Sequence, residues 1–390
     1  MMPTKSTQNK ATESNAPRFL VLQVITKRQK KEDAADDLHE VEQLIKTFGG
    51  QVIKEMIQRR DNPNQQTYIG SGKIEDLKNW CEAEEIDVVV INAITKSSQL
   101  FRIEKELWKI NPRIMVWDRV DLILNIFDQH ATTTESKLQI RMARVTHMGP
   151  RIYGLGKTEL SRQGGGVGTR GKGETNIEYE RRLINAEQHK IKEDLAKILK
   201  QKQNRLSQRN SRGVGTVALV GYTSAGKTTL FNSLTGKDKE MNKGLFTTLD
   251  TVIGKMKSSD YENQILISDT IGFISNLPPV LIDSFKSTLL ESLESRLLLH
   301  VIDASDKIMI DKMMVVEEIL GSLEVKQPTI LVCNKIDRLS AEERAALQEK
   351  LGAVGLDKFT IHTAFVSAET GEGVEELKTT ITTFFNTKQV

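Results

Sequence analysis

Gly221-Tyr222-Thr223-Ser224-Ala225-Gly226-Lys227-Thr228 is the stretch that decides how this chain folds. It matches G-x-x-x-x-G-K-[ST], a loop whose glycines let backbone N–H groups close around a phosphate. Residues 216–220 form a short, apolar, β-branched run that reads as a buried strand, and residues 229–235 read as the start of a helix. Strand, glycine loop and helix N-terminus in succession aim several N–H groups and the positive end of a helix dipole at one anion. Lys227 is then the counter-charge for β- and γ-phosphates, and the Thr228 hydroxyl a ligand for Mg²⁺.

Three downstream segments select the nucleotide. Asp269-Thr270-Ile271-Gly272 follows the apolar run 265–267. That puts the Asp269 carboxylate at a strand end, in reach of Mg²⁺ through water, and turns the Gly272 N–H toward a γ-phosphate. Asn334-Lys335-Ile336-Asp337 follows the apolar run 329–333. A carboxylate there accepts from guanine N1–H and the exocyclic amine together, donors adenine lacks, and such a pair discriminates by about 1–3 kcal/mol. Ser367-Ala368-Glu369 follows a third run and closes over the base with backbone groups. Four elements in this order predict a GTP-binding domain from residue 216 onward, with its last helix over 374–385.

With 390 residues the chain can build two or three domains with their own cores. Its two cysteines, Cys81 and Cys333, imply neither a disulfide framework nor a Cys-based metal site, which suits a reducing cytosol. No run of eighteen apolar residues is present, and residues 1–17 are polar without a hydrophobic signal core. Those residues read as a disordered tail and the protein as soluble and cytoplasmic. The net charge of +3 hides an uneven distribution. Residues 128–212 hold 18 Lys and Arg against 9 Asp and Glu, an excess of +9 that the rest of the chain offsets with −6. This points to a polyanion-binding element in the middle, or to a solvated charged helix.

Residues 18–127 alternate strand and helix patterns, which predicts a small, mostly parallel α/β sheet. Strands are expected at 19–25, 52–57, 87–91 and 113–117, and helices at 33–47, from a Ser71 cap to 84, and at 97–108. Residues 128–206 differ. Leu138, Met142 and Val145 recur at helical spacing, and Ile177, Ile184, Ile191 and Ile198 recur every seven residues, joined by Leu195 and Leu199. Two narrow apolar seams predict an antiparallel helical hairpin with Lys and Arg outside. Between them the loop 162–173 places six glycines in ten positions. It has no upstream strand and no Gly-Lys-Ser/Thr ending, so it is not a second nucleotide loop. Either it brings backbone close to a surface, with Arg162, Gly164, Gly165, Gly166, Arg170 and Lys172 as rRNA contacts, or it is a passive connector. Residues 207–215 read as a linker.

The chain resembles the HflX-type GTPases, ribosome-associated members of the translation-factor-related, Obg/HflX-like class, from about residue 19 to 386. The resemblance rests on residues 67–73, on the glycine loop 161–170 with Gly173-Glu174, on Arg181-Arg182, and on the G-domain segments around 221–228, Phe246-Thr247-Thr248-Leu249-Asp250 and 269–274. It implies an N-terminal α/β domain, a helical hairpin and a C-terminal Ras-like P-loop G domain. It also implies a monomer that binds the large ribosomal subunit and its rRNA and separates stalled or idle 70S ribosomes. Carried over by position, residues 221–228 hold the phosphates, Thr228 and Thr248 the Mg²⁺, 269–272 the γ-phosphate, and 334–337 with 367–369 the guanine. Ser224 stands where members usually carry Asn, the amide a monovalent-cation site would use. Residues 156–160 lack an aromatic and a His often found there, and the chain ends just after the last expected helix, where longer members carry a further domain. The turn Ser71-Gly72-Lys73 is either a second phosphate site, ATP being thought to bind some members here, or an ordinary helix start.

Lys227, Thr248 and Gly272 are the expected catalytic groups, acting on the γ-phosphate. The residue after Gly272, where some GTPases carry a water-orienting Gln, is Phe273. Slow intrinsic turnover and stimulation by ribosomes follow, with Phe273 either a gate or a core residue. The alternatives to a ribosome-splitting enzyme are a nucleotide-gated rRNA-binding module that hydrolyses GTP only for release, and a ribosome-assembly GTPase.

Overall fold

The N-terminal strand–helix alternation folds as β1 (Arg18–Thr26), α1 (Lys31–Phe48), β2 (Gln51–Arg60), α2 (Ser71–Ala83), β3 (Val88–Ile91), α3 (Ser97–Leu107) and β4 (Met115–Asp118). The computed structural model describes residues 16–27, 31–153, 176–211, 213–237, 252–257, 264–270, 272–274, 278–282, 284–285, 295–354 and 358–387. These belong to two units, Met1–Gln129 with Ile140–Ile191, and His130–Gln139 with Lys192–Val390.

In the first unit the strands form a wholly parallel sheet in the order β2-β1-β3-β4. The inner strands β1 and β3 are buried almost end to end, as parallel strands covered on both faces must be. One face packs Leu20, Leu22, Val89 and Ile91 against Ile74 and Leu77 of α2 and Leu100, Ile103 and Leu107 of α3. Phe19, Phe48 and Trp117 meet edge to face, with ring centroids 5.3–5.8 Å apart. Ser71 is not the cap of α2. That position is Gly70, in extended conformation without a side-chain cap, and its N–H donates to Gln58 Oε1 at 3.0 Å. Lys73 pairs within its own helix with Asp76 at 2.6 Å.

A helix absent from the sequence reading follows directly, α4 (Arg119–His130), and it runs past residue 127. Its start is capped reciprocally: Asp121 N–H donates to Asp118 Oδ1 at 2.9 Å, and Asp118 N–H donates to Asp121 Oδ2 at 3.3 Å. Helix α5 (Thr134–Tyr153) kinks at Gly149, whose φ of 2° and ψ of −82° are not helical. His147 of α5 sets Nε2 3.0 Å from Asp118 Oδ2, and its carbonyl accepts from Ser97 Oγ at 3.0 Å.

Helix α6 (Asn176–Ser211) spans 36 residues, about 54 Å at 1.5 Å per residue. Arg141 pairs with Glu187 at 2.5 Å and Glu135 with Lys202 at 2.6 Å, the antiparallel register of a hairpin. Ile191 is buried and Ile184, Leu195, Ile198 and Leu199 are half-buried, as the seven-residue seam requires. On α5 the buried apolar side chains are Ile140, Ala143 and Val145, with Leu138 and Met142 only half-buried. Residues 207–211, Ser-Gln-Arg-Asn-Ser, continue α6 rather than form a linker, since no Gly or Pro intervenes before Gly213 to end the helix.

The second unit contains β5 (Gly215–Gly221), α7 (Lys227–Thr235), β6 (Val252–Lys255), β7 (Ile265–Asp269), β8 (Leu297–Asp303), α8 (Met309–Ser322), β9 (Thr329–Asn334), α9 (Ala341–Val354), β10 (Thr360–Phe365) and α10 (Val374–Thr387). The sheet order is β10-β9-β8-β5-β7-β6, parallel throughout except at β6–β7. Strand β8 shows how two cores arise from one sheet. Leu297, Leu299 and Val301 pack with Phe231 of α7 and Phe385 of α10, while Ile302 packs with Met309 and Met313 of α8 and Leu351 of α9.

Candidate functional site

Strand β5, central and buried along its whole length, delivers the loop 221–226 to the carboxyl end of the sheet, where open α/β folds place ligands. Two glycines are required there. Gly221 has φ +149°, and a Cβ would strike the Val301 carbonyl; Gly226 has φ +93°, and a Cβ would strike Asn334 Nδ2. Helix α7 begins at Lys227 immediately after the loop, so its first-turn N–H groups face the same hollow.

Lys227 is buried, and its Nζ donates to Gly221 O at 3.0 Å and Tyr222 O at 2.8 Å. Burial pulls its pKa down to about 8, against the opposing pull of the Asp269 carboxylate. Thr228 Oγ1 donates to Asp269 Oδ2 at 2.9 Å. Thr270 turns away from the loop, donating through Oγ1 to Leu219 O at 2.6 Å. Gly272 lies against the loop: a Cβ there would sit 2.8 Å from Thr223 Cγ2 and 3.0 Å from Lys227 Nζ.

Phe273 is fully buried. Its N–H donates to Gly221 O at 3.1 Å and its carbonyl accepts from Thr223 N–H at 2.7 Å, so it extends the sheet by one bridge beside Tyr222. Of its two readings, the structure gives the core residue.

The other end of the site is held by Asn334. Its Nδ2 donates to Ala225 O at 2.9 Å, and its Oδ1 accepts from Ala368 N–H at 3.0 Å. Lys335, with φ +66°, reaches back to donate to Ser224 O at 2.8 Å and pairs with Asp303 at 2.5 Å. Burial pushes the Asp303 carboxyl up, but the Lys335 and Ser305 hydrogen bonds outweigh it and leave its pKa below the ordinary value. Ile336 is buried and Asp337 exposed. Ser367 and Ala368 are buried and Glu369 exposed. Residues 221–228, 269–270, 272, 334–337 and 367–369 therefore converge on one end of one sheet. Phe246, Thr247, Thr248, Leu249, Asp250 and Ile271 lie outside the described residues, as do Arg162, Gly164, Gly165, Gly166, Arg170 and Lys172.

Sequence reasoning passed over Asp303 and His300. His300 interrupts the apolar run 297–302, the one signal it offers. It is 3% exposed, and burial followed by the nearby Lys227 charge pushes its pKa down to about 4.

Comparison with known proteins agrees with this geometry. Residues 35–128 match the family described as GTP-binding GTPase N-terminal, 130–209 the GTP-binding GTPase middle region, and 216–335 the 50S ribosome-binding GTPase. GTPase HflX of Escherichia coli K12 is 35% identical over 343 residues, 88% of this chain and 77% of that protein. GTPase HflX of Flavobacterium psychrophilum is 40% identical over 327 residues, 83% and 76% of the two chains. A crystal structure of SsGBP with GDP is 25% identical with a TM-score of 0.51, covering 96% of this chain and all of that one.

Proposed function

The chain belongs to the HflX family of GTPases, and from that premise we propose that its GTP hydrolysis serves the large ribosomal subunit and splits stalled or idle 70S ribosomes. As a member it binds guanine nucleotide and hydrolyses GTP to GDP and phosphate. No helix among the described residues is long and apolar enough to cross a membrane. The proposed setting is a cytoplasmic monomer meeting ribosomes in solution.

In this reading the amides of 221–228 cradle the phosphates, Lys227 leaves its two carbonyl partners to neutralise β- and γ-oxygens, and the Gly272 N–H meets the γ-phosphate. Asp337 reads the guanine edge while 334–336 and 367–369 form the base pocket. The fit to Mg²⁺ rests on the Thr228 hydroxyl lying 2.9 Å from Asp269 Oδ2, two hard oxygen donors at the phosphate-loop helix. Thr228 and Thr248 would hold the ion, which when bound neutralises charge on the β- and γ-phosphates. Phe273 offers no polar group to a water, and among the described residues Lys227 and backbone amides are the groups placed to act on the γ-phosphate. Slow turnover by the free protein follows, with the ribosome supplying or arranging what is missing.

The observation that carries the ribosomal reading is the match of 216–335 to ribosome-binding GTPases. The +9 of residues 128–212 supports it, because a multi-phosphate contact is what such an excess favours. The test is turnover at fixed GTP across a salt series, with and without large subunits, beside 70S dissociation with a non-hydrolysable analogue. Stimulation that fades with salt faster than GDP affinity supports the proposal. A free protein as fast as the complex at every salt sinks it, and splitting without hydrolysis favours the gated binder instead.

A further inference from the structure

A histidine inside an apolar strand costs stability unless its ring nitrogens are satisfied. His300 occupies such a position in β8, on the face shared with Ile302, Met309 and Met313. Together with Thr223 of the phosphate loop it lines a cavity of about 50 Å³. Neither His300 Nε2 nor Thr223 Oγ1, both more than nine-tenths buried, has a hydrogen-bond partner among the described residues. His300 and Thr223 both line this cavity and each carries an orphaned polar atom, which points to a polar occupant. At roughly 10–15 Å³ per molecule, the space admits about three to five waters.

The charged groups around the cavity are already engaged. Asp303 pairs with Lys335 and accepts from Ser305, while Asp306 pairs with Lys312 at 2.6 Å and accepts from Ile308 N–H. Tyr222 and Ser224 also line the cavity; the His300 imidazole and the Thr223 hydroxyl can each donate and accept, and water matches both.

Thr223 connects this cavity to the reaction. Its methyl lies where it limits Gly272, since a Cβ on that glycine would be 2.8 Å from Thr223 Cγ2. Its N–H is committed to Phe273 O at 2.7 Å. The side chain is thus set with its methyl toward Gly272, while its hydroxyl is buried without a partner among the described residues, on a residue that lines the cavity. Rotation about χ1 in search of another partner would drive a different atom against Gly272.

We propose that His300 is a positioning residue for GTP hydrolysis: through ordered water in this cavity it holds the Thr223 hydroxyl, and so keeps the Thr223 methyl and Gly272 in the arrangement that hydrolysis uses. This rests on the reading above that Gly272 meets the γ-phosphate. The role gives a reason for a histidine in β8 where Leu or Phe would pack without orphaned atoms.

The test compares His300→Phe, His300→Gln and Thr223→Val in the full-length chain. The readouts are GDP affinity, the single-turnover hydrolysis rate at saturating GTP, and thermal unfolding. His300→Phe should lose about tenfold in hydrolysis, hold GDP affinity within twofold and unfold no earlier than the parent. His300→Gln should recover hydrolysis to within threefold, and Thr223→Val should match His300→Phe. The double variant His300→Phe with Thr223→Val should lose no more than either alone, because both break one chain of contacts. Parental hydrolysis in His300→Phe overturns the proposal, as does a His300→Gln variant as slow as His300→Phe. Should His300→Phe fail to fold, Thr223→Val and His300→Gln decide it by the same criteria. Gly272→Ala separates the underlying reading: if it hydrolyses GTP at the parental rate, Gly272 does not meet the γ-phosphate, whatever His300 does.

Discussion

Adding GDP at controlled pH should make Lys227 take up a proton. Burial holds the ammonium down to about 8, against the opposing pull of the Asp269 carboxylate. Phosphate oxygens brought beside Nζ add negative charge and return its pKa to at least the ordinary 10.5, a coupling of about 3 kcal/mol at 1.36 kcal/mol per unit. The free protein then carries the proton about one quarter of the time at pH 8.5 and the complex nearly always. Binding takes up about 0.75 proton at pH 8.5 and about 0.1 at pH 7. The sign follows: the liganded state holds more protons, so affinity falls as pH rises through 8, by about tenfold between pH 7 and pH 9. Calorimetry in two buffers of different ionisation enthalpy reads the uptake directly. Lys227→Met should bind weakly and without the pH dependence. Zero uptake at pH 8.5 with a flat affinity from pH 7 to 9 would refute the placement of Lys227 against the phosphates.

Two further outcomes test other parts of the site. Asp337→Asn should shift preference from guanine toward xanthine nucleotides, because an amide donates where the carboxylate accepted; competition between GDP and XDP measures it, and an unchanged GDP preference removes the exposed Asp337 from the base edge. Gly226→Ala should abolish tight GDP binding and lower stability by roughly 1–3 kcal/mol, since φ is +93° and the new methyl meets Asn334 Nδ2; a denaturant melt with GDP titration checks it, and parental values in both would contradict the geometry.

Much of this architecture was readable before any coordinate. The phosphate loop was legible because its chemistry allows few residue types at each position, and the first sheet because β3 is a continuous apolar run and residues 19–25 of β1 are one broken only by Gln23. Helix α4 was not, since Val120, Leu122, Ile123, Leu124, Ile126 and Phe127 are all buried and leave no polar face to set a period. Helix α6 was found by its isoleucine seam but cut short at 206, because the seam ends before the helix does. Ser71 looked like a cap by residue type, whereas backbone geometry put Gly70 there and the Gln58 side chain took the N–H. Phe273 was ambiguous in sequence because its burial depends on a bridge to Tyr222, fifty-one positions earlier. His300 left a trace only as an odd residue in a strand, since its significance lies in what shares its cavity.

Asn334 binds the phosphate loop with one end of its amide and the loop of Ala368 with the other. A side chain placed this way makes specificity and affinity inseparable traits. Exchange of the base-recognition segment for that of another nucleotide-binding protein would withdraw the support under Ala225, so a chimera inherits a loosened phosphate cradle along with its new preference. Selection for a different nucleotide has to proceed around Asn334 rather than through it, at its exposed neighbours Asp337 and Glu369.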